Sequence, residues 1–357
     1  MILPTTYGVT LLLTLLSMIC WGSWANTQKL TGRWRFELFY YDYAFGVLLA
    51  TIIAAFTFGT LGSEMSFSDN FAIAGKMKFV YGFAGGVVFN LANMLLVAAI
   101  AVAGLSVAFP IGIGIALVVG SVSNYFLNPQ GNPALLFSGV GLVLVAIILD
   151  ALAYREHART KKAAADAAMP APEPRRGRRP VYVKRAAPTS TKGIVLSIIS
   201  GVLMGSFYPL VEIGKQGENG LGPYSIGLIF AIGVFFSTFI FNIYFLNLPV
   251  IGDPIGMFQY FTGTAKQHLL GIAGGIIWCI GMLTNYVAAS APKSVQVGPA
   301  VSYAIGQGAT MVSALWGVFV WKEFAGASPR AIRLLTLMFL FFIVGLTLVS
   351  IAPLYAH

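Results

Sequence analysis

Long apolar runs recur along the whole chain and alternate with short polar stretches. A helix needs roughly 20 mostly apolar residues to cross the hydrocarbon core of a bilayer. Ten runs reach that length, which predicts an all-α membrane protein. The predicted spans are 5–26, 37–60, 78–102, 105–127, 134–154, 193–213, 223–247, 268–290, 295–320 and 331–352.

One long polar segment interrupts this pattern. Residues 155–192 are rich in Ala, Pro, Lys and Arg, a composition that cannot bury a core. We therefore expect a basic, disordered linker there. It divides the chain into a first five-helix repeat, 1–154, and a second, 193–357.

The two halves share short phrases. Gly82-Phe83-Ala84-Gly85-Gly86 returns as Gly271-Ile272-Ala273-Gly274-Gly275, 189 positions later (271 − 82), and Pro110 meets Pro299 at the same offset. An odd number of spans per half forces the second half into the membrane in the opposite sense. The pattern predicts a 5+5 inverted repeat, which is typical of secondary transporters.

Composition agrees with a lipid-embedded chain. Charged residues make up 10% of the sequence, against about 25% in soluble domains, and the mean hydropathy is +0.81. Much of the net charge of +10 falls in the linker, so we expect no nucleic-acid partner. The three histidines and two cysteines show no metal-ligand spacing, and we predict neither a metal nor a cofactor.

The basic residues predict an orientation. Odd-numbered loops contain 18 Lys and Arg residues, 11 of them in the linker, whereas even-numbered loops contain 4. Cytoplasmic loops are enriched in Lys and Arg. We therefore expect the linker in the cytoplasm and both termini outside. The linker could also bind anionic lipid.

Glycines and prolines mark helix contacts and breaks. Gly82 and Gly86, and likewise Gly271 and Gly275, lie four apart on one helix face, which favours close helix packing or sliding during transport. Pro110 and Pro299, each beside glycines, predict an ordinary kink or a wall of a cavity, since both weaken the helix and free backbone carbonyls.

Uncharged polar and aromatic side chains within the spans are the candidates for binding a solute. Amides can hydrogen-bond a neutral solute and rings can stack on it, although each residue alone could equally serve helix packing. The candidates are Trp21, Trp24, Asn26, Asn90, Asn93, Phe207, Tyr208, Trp278, Asn285, Tyr303 and Gln307.

Two acidic residues, Asp42 and Glu212, lie within spans. Ionisable groups at such depth are functional candidates, and we expect one of these two to take part in proton coupling. The alternative is an interfacial ion pair of Asp42 with Arg33 or Arg35, and of Glu212 with Lys215. Asp150 and Glu323 lie at span ends and are interpreted as topological anchors. No nucleotide-binding or hydrolase motif occurs, which indicates that the chain is not an enzyme.

Several phrases resemble known transporters. Ten spans in two halves resemble the drug/metabolite transporter superfamily. Gly22-Ser23-Trp24, followed by a basic stretch and Tyr41-Asp42-Tyr43, is similar to the start of ureide permeases. Tyr303-Ala304-Ile305, Leu315-Trp316-Gly317 and Lys322-Glu323-Phe324 resemble the penultimate span of that family and of the related glucose/ribose porters and rhamnose–proton symporter.

The resemblance implies proton-coupled uptake of a small organic solute, either an oxo-heterocycle such as allantoin or uracil, or a sugar. It leads us to expect a secondary active importer of a small neutral polar solute, with a ureide or nucleobase preferred to a sugar. The shorter linker leads us to expect a bacterial inner membrane. Two alternatives stay open: an exporter of amphipathic metabolites or drugs, and a non-transporting sensor or scaffold that uses the basic linker. The oligomeric state is not predicted.

Overall fold

The computed structural model describes residues 1–167, 191–249 and 253–355, and these residues form helices and connecting loops without a strand. Ten helical segments in this part of the chain are long and apolar enough to cross a membrane. The helices are α1 (Tyr7–Ser23), α2 (Ala25–Leu30), α3 (Phe36–Phe56), α4 (Phe67–Ile73), α5 (Lys76–Ala103), α6 (Leu105–Leu127), α7 (Pro133–Ala167), α8 (Thr191–Lys215), α9 (Pro223–Asn247), α10 (Ala265–Ala289), α11 (Pro299–Gly306), α12 (Ala309–Leu315) and α13 (Pro329–Ile351).

The ten predicted spans are confirmed as helices, with one boundary far from its predicted place. Helix α7 continues 13 residues beyond the predicted end at 154, to Ala167. The added stretch is rich in Ala, Lys and Arg, which are strong helix formers even where no core can be buried. Disorder was therefore the wrong expectation for 155–167, and the linker residues 168–190 lie outside the described part of the chain.

Two spans consist of more than one helix. The first comprises α1 and α2, which meet at Trp24. The ninth comprises α11, α12 and a π-helical turn, Trp316–Val320. A π turn contains one more residue than an α-helical turn and is frequent at functional sites, so the end of the ninth span is a candidate for a functional role.

Glycines bring α3 and α10 into backbone contact. A side chain at Gly46 would collide with the carbonyl of Ile272, and one at Gly275 with the carbonyl of Tyr43. Each helix thus presents a glycine to the backbone of the other, and the two helices can approach more closely than larger residues would permit.

Helices α5 and α9 meet in the same manner. A side chain at Gly86 would collide with the carbonyl of Phe230, and one at Gly233 with the carbonyl of Phe83. The third span thus packs on the seventh as the eighth packs on the second. In an inverted repeat, equivalent helices of the two halves make equivalent contacts, as these two pairs do. The 5+5 relationship itself stays a prediction.

Candidate transport site

Ten aromatic rings from seven spans converge in the middle of the bundle, and we call them the aromatic centre. Trp278 is at the middle of this group, with its ring centroid 4.6 Å from Phe89, 6.0 Å from Phe230 and 6.1 Å from Trp21. The members of the aromatic centre are Trp21, Trp24, Tyr43, Phe89, Phe207, Tyr208, Phe230, Trp278, Tyr286 and Tyr303.

A buried amide ties the rings to four helices. Asn285 accepts a hydrogen bond from the hydroxyl of Tyr208 at 2.6 Å, and its amide nitrogen donates to Ser17 Oγ at 2.9 Å and to the carbonyl of Ser302 at 3.0 Å. The Tyr303 hydroxyl bonds to backbone carbonyls of α6 and α8. The structure therefore brings six predicted site residues together: Trp21, Trp24, Phe207, Tyr208, Trp278 and Tyr303, with Asn285 beside them.

Three rings of the aromatic centre end in buried polar atoms that have no hydrogen-bond partner. They are the indole Nε1 of Trp21 and the hydroxyls of Tyr43 and Tyr286. An unsatisfied buried polar group costs about 1–3 kcal/mol, so these three atoms are candidates for bonding to a solute.

The remaining predicted polar candidates lie elsewhere. Asn90 is fully buried and donates to Ser237 Oγ at 2.8 Å and to Thr238 Oγ1 at 3.1 Å, both on α9. Asn93 donates to the Tyr40 hydroxyl at 3.0 Å. These two side chains hold α5 against α9 and α3, which is the packing alternative considered above.

Asn26 and Gln307 also differ from the expectation that both line a central site. Asn26 accepts from the indole nitrogen of Trp321 at 2.6 Å, at the end of the bundle from which α7 leads to the linker. We call this end the linker side. Gln307 is half-buried at the junction of α11 and α12, where its backbone N–H bonds to the carbonyl of Tyr303.

Asp42 does not pair with either predicted arginine. Its two carboxylate oxygens meet the hydroxyl of Tyr260 at 2.5 Å and Nδ1 of His268 at 2.8 Å. Arg35 bonds Glu37 instead. Burial raises the pKa of Tyr260, and the bond to Asp42 raises that pKa further, so this hydroxyl remains a donor.

Glu212 has the ion pair that the packing interpretation predicts. Its carboxylate lies 2.7 Å from the ammonium of Lys215, one helical turn away, and both side chains are nearly buried. The ion pair therefore accounts for Glu212, whereas Asp42 has a tyrosine and a histidine as its partners.

The ends of the first and ninth spans are fastened together on the linker side by a group of contacts that we call the latch. Lys29 pairs with Glu323 and lies 4.3 Å over the ring of Trp321, and the indole nitrogen of Trp316 donates to Ser23 Oγ at 2.9 Å. Sequence reasoning missed this role for Glu323. Its neighbours Trp316 and Trp321 were a usable signal, because indole N–H groups at a span end need a partner.

Glu323 is held ionised in the latch. Burial raises the pKa of Glu323, but the hydrogen bonds from Lys29 and Tyr154 and the charge on Lys29 more than offset this, and the pKa lies below its usual value. The Tyr154 hydroxyl, which comes from α7, donates to Glu323 at 2.9 Å. The latch therefore joins three spans at neutral pH.

The predicted hinge residues divide into two kinds. Gly82 of α5 lies against Ile226 and Ile229, and Gly271 of α10 lies against Asp42, next to the glycine contacts described above. Pro299 begins α11, directly after Gly298 with φ +79°. Pro110 instead lies inside the continuous helix α6, and the break in this half falls at Gly104, with φ +82°.

Comparison with known proteins defines the family. The ureide permease family profile matches residues 39–178 and 178–352, which together cover most of the chain. The chain belongs to the ureide permease family. It is therefore a membrane transporter, and its relatives are named permeases and not enzymes, as the sequence predicted.

Curated relatives of this family member extend over nearly its full length. Ureide permease 2 of Arabidopsis thaliana is 28% identical, covering 93% of each chain, and ureide permease 5 of the same plant is 27% identical, covering 96% of this chain and 93% of its own. A crystal structure of another protein shares the fold, with a TM-score of 0.62, 15% identity and coverage of 96% of this chain and 98% of that one.

Proposed function

We propose that this ureide permease family member is a secondary active transporter of a small neutral solute that carries both N–H and C=O groups. A ureide or an oxo-heterocyclic nucleobase has this chemistry, and we prefer it to a sugar. The names of the relatives support a ureide. The observation that carries the proposal is the set of three unpartnered polar atoms around the aromatic centre.

The chemistry of these atoms favours a flat, uncharged ligand. The Trp21 indole can only donate, whereas the hydroxyls of Tyr43 and Tyr286 can donate or accept. A ureide presents matching carbonyl oxygens and N–H groups in one plane, and aromatic rings can stack on its faces. A carboxylate or ammonium would find no counter-ion among the residues of the aromatic centre.

Transport would proceed by alternating access. In the described conformation the rings pack against one another, and the latch joins the first and ninth spans on the linker side. We propose that the inverted halves rock against each other along the glycine contacts of α3 with α10 and of α5 with α9, opening the aromatic centre to one side at a time.

We propose a proton as the coupling ion and Asp42 as its carrier in preference to Glu212. The carboxylate of Asp42 is buried, and its two oxygens bond to the Tyr260 hydroxyl and to Nδ1 of His268. A histidine next to a carboxylate can pass a proton to it, whereas Glu212 already has Lys215 as its ion-pair partner.

We further propose that the protein imports its solute across a bacterial inner membrane. Both termini would lie outside and the linker in the cytoplasm. The basic excess of the linker supports the orientation. Arg155, Arg159, Lys161 and Lys162 on the end of α7 add to a positive surface that could bind anionic lipid head groups.

The test is uptake by purified protein reconstituted in liposomes. Radiolabelled allantoin, uracil and glucose are offered with and without a pH gradient. Tyr286→Phe removes one unpartnered hydroxyl and keeps the ring, and it should raise KM about tenfold, as expected for a lost hydrogen bond. Tyr244→Phe, at an exposed tyrosine of α9, is the matched control and should leave KM unchanged.

Other results would contradict the proposal. Uptake of glucose alone would exclude the ureide and nucleobase assignment. Transport of hydrophobic cations out of cells, with none of the three solutes carried, would favour the exporter. Loss of cellular function after deletion of 168–190, with uptake intact, would favour the scaffold.

A further inference from the structure

A third buried carboxylate, besides Asp42 and Glu212, lies on α7 in the half of the bundle nearer the linker. Asp150 of α7 has 7% of its surface exposed, and its Oδ1 atom has no hydrogen-bond partner. A buried carboxylate without a partner is costly unless a cation neutralises it.

Asp150 lines a cavity of about 80 Å³ between three spans. Thr310 and Ser313 of α12 add hydroxyl groups to the wall, and Phe109 and Pro110 of α6 form its apolar side. The volume suits one or two water molecules around a carboxyl group. It is too small for a ring-shaped solute such as uracil to fit beside the carboxylate.

No cation faces this carboxylate among the described residues of the elements that surround it. From α6 and α12 come the apolar and hydroxyl groups just named, and α13 packs on this part of α7 with Leu335, Met338 and Phe342. On α7 itself, Tyr154 also lines the cavity and is one turn nearer the linker. Glu323, which accepts from the Tyr154 hydroxyl, already forms a pair with Lys29.

The cavity is connected to the latch through one side chain. Tyr154 lines the cavity and donates its hydroxyl hydrogen to Glu323 Oε2 at 2.9 Å, while Glu323 Oε1 takes the ammonium of Lys29. A change of charge at Asp150 therefore acts, through Tyr154, on the contact that holds the first span to the ninth.

We propose that Asp150 is a proton-binding site of the transport cycle and that its protonation favours the closed latch. Without its proton, the Asp150 carboxylate and Glu323 are two like charges near one tyrosine, and their repulsion favours separation of α7 from the ninth span. With the proton bound, this repulsion is absent and Lys29 and Glu323 can stay paired. The proposal rests on the proposed transport function and adds a site that senses protons from the linker side.

The experiment combines transport with a measurement that needs no substrate. Infrared spectra of the purified full-length protein in liposomes are recorded at two pH values, and the difference reveals carboxylic acids through their C=O stretch. Wild type should show a carboxylic C=O band that is missing from Asp150→Asn and shifted in Asp150→Glu. Glu218→Gln, at an exposed residue without described contacts, is the control and should keep the band.

Transport is measured on the same samples. One pH unit can drive about a tenfold gradient of solute for each proton carried. Because asparagine cannot lose a proton and so favours the closed latch, Asp150→Asn should slow both uptake and the exchange of labelled for unlabelled solute, and neither rate should change with pH on the linker side. Asp150→Glu, which retains a carboxyl group, should accumulate solute with an altered pH dependence and covers the case in which the asparagine variant does not fold.

The failures are distinguishable. If wild type transports none of the offered solutes, the proposed function fails, while the infrared band still decides whether Asp150 binds a proton. A band that persists in Asp150→Asn and is unshifted in Asp150→Glu overturns the proton site. Accumulation that follows a Na⁺ gradient and ignores pH also overturns it.

Discussion

The close contact of α3 with α10 allows a quantitative test through Gly275→Ala. The added Cβ would lie 2.8 Å from the backbone nitrogen of Val47 and closer still to the carbonyl oxygen of Tyr43. Ordinary contact begins at 3.4 Å, so the helices must separate by at least 0.6 Å (3.4 − 2.8). Backbone atoms cannot rotate away as a side chain can, and the whole helix has to move.

Overpacking of this kind costs about 1–3 kcal/mol, and it can cost more where backbone must shift. The gain in helix propensity from glycine to alanine returns about 1 kcal/mol. Gly141→Ala, on α7, provides the matched control because nothing lies within 4 Å of the added Cβ. It has the propensity gain without the collision.

Thermal unfolding of the two variants in the same detergent measures the difference. We expect Gly275→Ala to melt below wild type and Gly141→Ala at or above it, with the two separated by about 1–3 kcal/mol of unfolding free energy. Since Gly86 has the equivalent place against Phe230, Gly86→Ala should match Gly275→Ala. Equal melting temperatures for Gly275→Ala and Gly141→Ala would refute the contact.

Three further predictions concern the buried amide, the latch and the orientation. Asn285→Ala should lower the free energy of unfolding by about 1–3 kcal/mol, since three hydrogen bonds are lost. Tyr208→Phe should lower it by about 1 kcal/mol or less. Additive effects in the double variant would contradict the energetic coupling of these two side chains. Because the pKa of Glu323 is lowered in the folded state, its pairing with Lys29 stabilises the protein fully above pH 4.5, the ordinary glutamate pKa. This stabilisation is lost as the pH falls through the lowered pKa. A plot of melting temperature against pH should show the loss in wild type and much less of it in Lys29→Met. Alkaline phosphatase fused after Tyr355 should be active in bacteria, since the C-terminus is predicted outside, and activity of a green fluorescent protein fusion alone would reverse the orientation.

Much of the fold was predictable because hydrophobic length is a local signal. Every predicted span is a helix, since a run of about 20 apolar residues has few other ways to satisfy its backbone in lipid. The end of α7 was not predictable in the same way. Helix propensity kept the polar residues 155–167 helical, although their composition had indicated disorder.

The site was predictable in residue type and less so in position. Buried rings such as Trp278 and Tyr303 do meet, because aromatic residues within spans that face inward have one shared interior. Asn90 lies in a helix contact instead, and a sequence cannot reveal which face of a helix meets which neighbour. Asp42 and Glu323 depended on partners more than 200 positions away, His268 and Lys29, which no local pattern predicts.

Trp316 and Trp321 give the protein a built-in optical probe. Their indole N–H groups both bond to the first span, so separation of the two spans would expose both rings to water at once. The sequence has 6 tryptophans, and replacing only Trp316 and Trp321 by phenylalanine would identify the part of the emission that reports on this one contact. A red shift in emission on adding a candidate solute would then register binding without any radiolabel, and its time course would give the rate at which that side opens.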